Sequence, residues 1–74
     1  MENQHRKISG YRELTQEEIN AMNTIKAVGV SLGELVEKIS YLEGIDQRWV
    51  AIARTDLQTG LMALTRSVAR PTTF

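Results

Sequence analysis

Two arginines near the end of the chain have a spacing that suits anion binding. Arg66 and Arg70 are four residues apart, so on a helix their side chains share one face. A guanidinium group binds phosphate with paired hydrogen bonds, and copies from neighbouring chains could surround one ligand. The same two residues also suit the negative end of a helix dipole. Two interpretations therefore stay open: an anion site and favourable helix-end electrostatics.

An aromatic residue lies among cations near the start of the chain. Tyr11 is in the segment GYRE, directly before Arg12. An aromatic ring can stack on a nucleobase while neighbouring cations hold its phosphates. Alternatively, Tyr11 packs this segment against the rest of the chain. Lys26 lies on the first predicted helix, away from its main apolar stripe, and is either a further phosphate contact or a solvated lysine.

The chain lacks the residue sets on which most enzymes depend. It contains no Cys and a single His, His5. A reactive thiol, a histidine-based acid–base pair and a cysteine or histidine metal cluster are therefore excluded within one chain. No glycine-rich phosphate-binding loop is visible in the sequence. We predict a binding protein rather than an enzyme, with no catalytic residue, no metal and no cofactor.

Charge balance and hydropathy exclude two further classes of partner. Nine Lys and Arg residues balance nine Asp and Glu residues, whereas proteins that bind duplex nucleic acid usually carry a basic excess. No apolar run approaches the roughly 20 residues of a membrane-spanning helix. The polar start MENQHRK is unlike a signal peptide. We therefore expect no duplex nucleic acid partner, no membrane and a cytoplasmic protein.

Two predicted helices must position these side chains. Thr15 and Glu18 have the spacing of a capping box, which predicts helix one over about residues 15–42. Gly44 is expected to provide a left-handed cap at its end. The apolar stripe of this helix advances in steps of three and four residues: Met22, Ile25, Gly29, Leu32, Val36 and Ile39.

The second helix is predicted over about residues 46–70, with Asp46 at its start and Pro71 after its end. Its apolar stripe is Val50, Ala53, Leu57, either Gly60 or Leu61, Leu64 and Val68. Because the linker is short, the helices should form an antiparallel hairpin. The predicted fold is all-α: a single domain over residues 1–74, with an N-terminal arm over 1–14.

A hairpin of this size is not expected to be stable alone. A chain of 74 residues has little capacity to bury a core, and without Cys it forms no disulfide. Further apolar residues lie beside the main stripes and widen the apolar face: Val28, Leu35, Leu42, Trp49, Ile52 and Met62. We predict that the hairpin assembles into a homo-oligomer.

Three glycines lie inside the predicted helices, where each costs about 1 kcal/mol relative to Ala. They are Gly29, Gly33 and Gly60. Such a cost requires compensation, and three interpretations are open. Another helix approaches closely, a ligand approaches the backbone, or the helix is kinked.

The absence of net charge hides a polarised molecule. An antiparallel hairpin brings the arm close to the end of helix two. Cations gather at that end of the molecule: Arg6, Lys7, Arg12, Arg66 and Arg70. Acidic residues gather at the opposite end: Glu34, Glu37, Glu43 and Asp46.

Three segments together resemble a known family. HRKISGYREL, IKAVGVSLGEL and RWVAIARTDLQTGLMALTRSVARP are similar to phage proteins that defeat CBASS immunity by sequestering its cyclic oligonucleotide signals. These anti-CBASS sponges share a helical hairpin domain with phage sponges that counter Thoeris immunity. The likeness covers nearly the whole chain, and RW-x-AIA followed by LQ-x-G-x-MAL-x-R is its most specific part.

The resemblance implies a homo-oligomer, specifically a hexamer, that binds cyclic dinucleotides such as 3′,3′-cGAMP between protomers without cleaving them. It also implies a separate pocket for cyclic trinucleotides. By this resemblance Tyr11 stacks on a base and Lys26 contacts phosphate in the dinucleotide pocket, while Arg66 contacts phosphate in the trinucleotide pocket. Charge geometry adds Arg12 to the first set and Arg70 to the second. The alternative function is a helical oligomerisation module that binds another protein through its apolar face.

Overall fold

The computed structural model describes residues 13–72, which form two α-helices. Helix α1 spans Gln16–Ser40 and helix α2 spans Gln47–Ala69. The prediction of an all-α chain with two helices is confirmed for the described residues, in which no strand occurs. Residues 1–12 of the predicted arm lie outside them. The homo-oligomer remains a prediction.

Contacts at both ends of the helices define an antiparallel hairpin. At the linker, the Gln47 side chain at the start of α2 donates a hydrogen bond to the Ser40 carbonyl, at 3.0 Å. At the open end, Arg70 forms an ion pair with Glu18 in the first turn of α1. The start of each helix therefore lies beside the end of the other.

Local hydrogen bonds fix where each helix begins. The predicted capping box is present, since Thr15 Oγ1 accepts from the Glu18 N–H at 3.1 Å and Glu18 Oε1 accepts from the Thr15 N–H at 2.8 Å. At the start of α2, Asp46 Oδ1 accepts from the N–H groups of Arg48 and Trp49, at 3.0 and 3.3 Å. Each cap pairs backbone donors that the helix itself leaves unpaired.

The end of α1 differs from the prediction. The cap residue is Tyr41 in a right-handed conformation, and Gly44, at φ 83°, lies farther along in the linker. The last turn is tightened by bonds of the i to i+3 type, with Tyr41 N–H donating to the Lys38 carbonyl at 3.3 Å and Leu42 N–H to the Ile39 carbonyl at 3.0 Å. Because these bonds satisfy the final carbonyls, no left-handed cap is needed there.

The rotation of α2 settles which of its apolar residues face α1. A methyl group on Gly29 would lie 3.4 Å from Leu61 Cδ1, so Leu61 rather than Gly60 meets the first helix. Leu64 and Ala53 were expected in the same stripe but are exposed, Leu64 by 51%. The prediction was wrong for these two because α2 turns Leu61 toward α1, which leaves Ala53 and Leu64 at the side.

The hairpin buries little of its apolar surface. Val36, at 8% exposure, is the single buried hydrophobic residue among those the structure describes. Many large apolar side chains are exposed: Val28, Val30, Leu35, Leu42, Trp49, Met62 and Leu64. One helix packed on one other leaves each helix covered on one side only. Over the described residues, neither helix combines the length and the apolar character that a membrane crossing requires.

Candidate ligand-binding groove

An open groove between the helices contains Lys26. Its volume is about 440 Å³, within the range of small-molecule sites. Both helices line it: Met22, Asn23, Ile25 and Lys26 from α1, with Leu61, Met62 and Thr65 from α2. The groove therefore combines apolar walls with one cation.

Lys26 is exposed at this groove. Within residues 13–72 its ammonium group has no hydrogen-bond or ion-pair partner. The thioether side chains of Met22 and Met62 flank it from opposite helices, and such flexible, polarisable groups adapt to flat apolar ligands. The arrangement suits a ligand that presents a phosphate to the lysine and an aromatic base to the methionines.

Arg70 is held by a contact within the hairpin. Its Nη2 donates to Glu18 Oε2 across the open end, while the other carboxylate oxygen of Glu18 belongs to the capping box. Its backbone is left-handed, at φ 46°, and its N–H donates to the Arg66 carbonyl at 2.7 Å. Glu18 thus joins the start of α1 to the end of α2.

Arg66 is exposed and lies one helical turn after Met62. Since residues four apart share a helix face, Arg66 is on the Met62 side of α2, although it does not line the Lys26 groove. The structure brings neither Arg66 nor Arg70 into contact with Lys26. Tyr11 and Arg12 lie outside the described residues, so their approach to the groove remains a prediction.

The sequence reasoning assigned no role to Arg54. This exposed arginine borders a second, smaller groove of about 110 Å³. The rest of its lining comes from both helices: Gly29, Leu32, Gly33, Val36, Leu57, Gln58 and Leu61. The sequence contains a sign that Arg54 lies near α1. It precedes Leu61 by seven residues and therefore lies on the same face of α2. The Glu18–Arg70 pair was also missed, because it joins residues far apart in the chain.

These features belong to a small helical hairpin with one lysine in an open groove between its helices. Residues 4–69 match the family described as "Acb2/Tad1, hairpin domain", and the chain belongs to this family. It is 40% identical to "Anti-CBASS protein 2" of Pseudomonas phage JBD67, over 96% of this chain and 97% of that protein. The resemblance seen in the sequence is thereby confirmed.

Proposed function

We propose that this chain binds cyclic oligonucleotide immune signals and holds them without cleaving them, so that CBASS effectors in the host bacterial cytoplasm are not activated. The observation that carries the proposal is the 40% identity, over nearly the full length of both chains, to a phage protein named for anti-CBASS activity. The Lys26 groove adds support, because its chemistry suits a nucleotide.

The groove would serve the dinucleotide pocket. A cyclic dinucleotide such as 3′,3′-cGAMP carries two purine bases and two phosphodiesters. Lys26 would pair with a phosphate, and the side chains of Met22 and Met62 would contact a base. Tyr11 would stack on a base and Arg12 would hold a phosphate. Since the groove is open on one side, residues of a second protomer would complete it.

The open end of the hairpin would serve cyclic trinucleotides. Arg66 would contact a phosphate there, with Arg70 beside it. Because Arg70 already pairs with Glu18, part of its charge is offset within the chain.

Assembly is part of the proposed function. The exposed apolar side chains of both helices supply surface for contacts between copies, in a homohexamer as the resemblance implies. An oligomer would place several copies of Lys26 and Arg66 on one particle, so that each particle captures several ligand molecules.

Calorimetric titration with 3′,3′-cGAMP and with a cyclic tri-adenylate tests the proposal. Afterwards the protein is denatured and the ligand is examined by chromatography. We expect tight, stoichiometric binding and recovery of intact ligand. Recovery of linear products would instead show a hydrolase. If neither ligand produced heat, the proposal would fail, and the helical module that binds another protein would become the favoured function.

A further inference from the structure

A row of exposed residues on α2 lies along the edge of its contact with α1. We call Ala53, Leu57, Gly60 and Leu64 the Leu57 seam. All four are exposed, with Leu57 at 36%. Their steps of four, three and four residues have the spacing of a helix-packing seam. Leu57 also lines the smaller groove between the helices, which Arg54 borders. Leu61 and Val68, on the neighbouring face of α2, approach α1 as well.

The seam lies on the opposite side of the hairpin from the Lys26 groove. Gly60 precedes Met62 by two residues, which is about 200° around a helix, and Met62 lines that groove. Ala53 precedes Met62 by nine residues, or about 180°. A partner on the seam would therefore leave the groove open to ligand.

We propose that the Leu57 seam packs against the same seam of a second copy, with the two α2 helices antiparallel about a two-fold axis. This inference rests on the homo-oligomer in the proposed function and adds the surface and its geometry. It does not depend on which ligand is bound.

The sizes of the side chains along the seam favour this geometry. An axis between Gln58 and Thr59 places Leu57 opposite Gly60 of the other copy and Leu64 opposite Ala53. Each large side chain then meets a small one, which allows close packing. A parallel pair in register would instead oppose leucine to leucine and leave a gap between the glycines.

Gly60 supplies an independent observation. A methyl group at this position would meet nothing within 4 Å inside the hairpin. Contacts with α1 therefore do not explain a glycine in the middle of α2. In the proposed pair, Gly60 would make room for Leu57 of the second copy.

A second copy is the occupant that fits best. The seam is complementary in size to itself, as a two-fold contact between identical surfaces requires. The hairpin also needs such a contact, since among its described residues Val36 is the one buried hydrophobic side chain.

Disulfide cross-linking tests the pairing, because the natural chain contains no Cys. Leu57→Cys and Gly60→Cys are prepared as separate variants and oxidised alone and as an equimolar mixture. We expect the mixture to give mostly dimers that join position 57 of one copy to position 60 of the other. Dominant 57–57 or 60–60 dimers, or a stronger cross-link of Leu57→Cys to Val28→Cys, would overturn the proposal.

Sedimentation velocity gives a second test. Gly60→Leu should weaken self-association by about tenfold or more through overpacking. Adding Leu57→Ala to this variant exchanges the large and the small position of the seam, and should restore much of the lost self-association. Thr55→Leu, an exposed site off the seam, is the control. Loss in the control equal to that in Gly60→Leu, no recovery in the exchange variant, or a monomeric natural chain would contradict the inference. If the expected cross-link formed but 3′,3′-cGAMP did not bind, the seam would be supported and the proposed ligand would be wrong.

Discussion

At the scale of single residues, Lys26 is the described side chain best placed to hold a phosphate. The described residues that line its groove are mostly apolar and include no carboxylate. Lys26→Met removes the charge and keeps a side chain of similar length. We expect the calorimetric affinity for 3′,3′-cGAMP to fall about tenfold or more, as for the loss of one charge-assisted hydrogen bond. Sedimentation should show an unchanged oligomer.

The matched control for this variant is Lys38→Met. Lys38 is an exposed lysine in the last turn of the same helix, far along α1 from the groove. Its replacement should leave the affinity for 3′,3′-cGAMP unchanged. Equal affinities for the two variants would remove Lys26 from the proposed site.

Residues with local partners were the ones that the sequence could assign. Thr15 and Glu18 are three positions apart, so their pairing depends only on helix geometry, and it is present. The second contact of Glu18, with Arg70, depends on the length of both helices and of the linker. For the same reason, the sequence could group Arg66 with Arg70 but did not show that Arg70 pairs with Glu18.

At the scale of elements, Glu18 should stabilise the hairpin in two ways that substitutions can separate. Glu18→Gln keeps an acceptor for the Thr15 N–H and removes the charge that pairs with Arg70. Its cost should be small, about 0–1 kcal/mol, since Arg70 is half exposed and solvent screens the pair. Glu18→Ala loses both contacts and should lower the free energy of unfolding by about 1 kcal/mol more than Glu18→Gln does. Denaturant unfolding at fixed protein concentration measures both.

Glu17→Ala is the control for this pair, since Glu17 is an exposed acid in the same first turn. It should change the free energy of unfolding less than Glu18→Ala does. If Glu18→Gln and Glu18→Ala were equally stable, the capping bond would contribute nothing measurable, and the ion pair alone would explain the role of Glu18.

The glycines of α1 should respond differently to the same change. Among residues 13–72, a methyl group on Gly33 meets nothing within 4 Å, whereas one on Gly29 lies 3.4 Å from Leu61. Gly33→Ala should therefore raise the free energy of unfolding by about 0.5–1 kcal/mol, and Gly29→Ala should raise it less. If Gly33→Ala instead destabilised the protein, a second copy or a ligand would have to pack against this glycine.

The helices themselves follow from the sequence more closely than their rotation does. Caps and breakers act locally, so Thr15, Asp46 and Pro71 mark the helix ends. The apolar pattern of α2 is wide enough for two neighbouring faces, and it did not show whether Gly60 or Leu61 faces α1. One of these faces packs on α1 and the other stays exposed. A heptad pattern does not show which partner each face meets, so the sequence alone left this choice open.

At the scale of the whole molecule, the distribution of charge matters more than its sum of zero. In the described residues, the open end of the hairpin carries Arg66 and Arg70 beside Glu13, Glu17 and Glu18. The linker end carries four acids and two cations: Glu34, Glu37, Glu43 and Asp46, with Lys38 and Arg48. The predicted cationic end therefore depends on Arg6, Lys7 and Arg12, which lie outside the described residues. If the arm brings these three cations to the open end, an anionic ligand should be attracted there, and this attraction should weaken as salt is added.

The remaining question at this scale is whether the molecule has one ligand pocket or two, since Arg66 lies one turn from Met62 of the Lys26 groove. Arg66→Gln keeps much of the side chain and removes the guanidinium charge. With two pockets, calorimetry should show a loss of about tenfold or more for the cyclic tri-adenylate and little change for 3′,3′-cGAMP. Lys38→Gln should alter neither affinity. Equal losses for both ligands with Arg66→Gln would mean that they share one pocket, to which Arg66 and Lys26 both contribute.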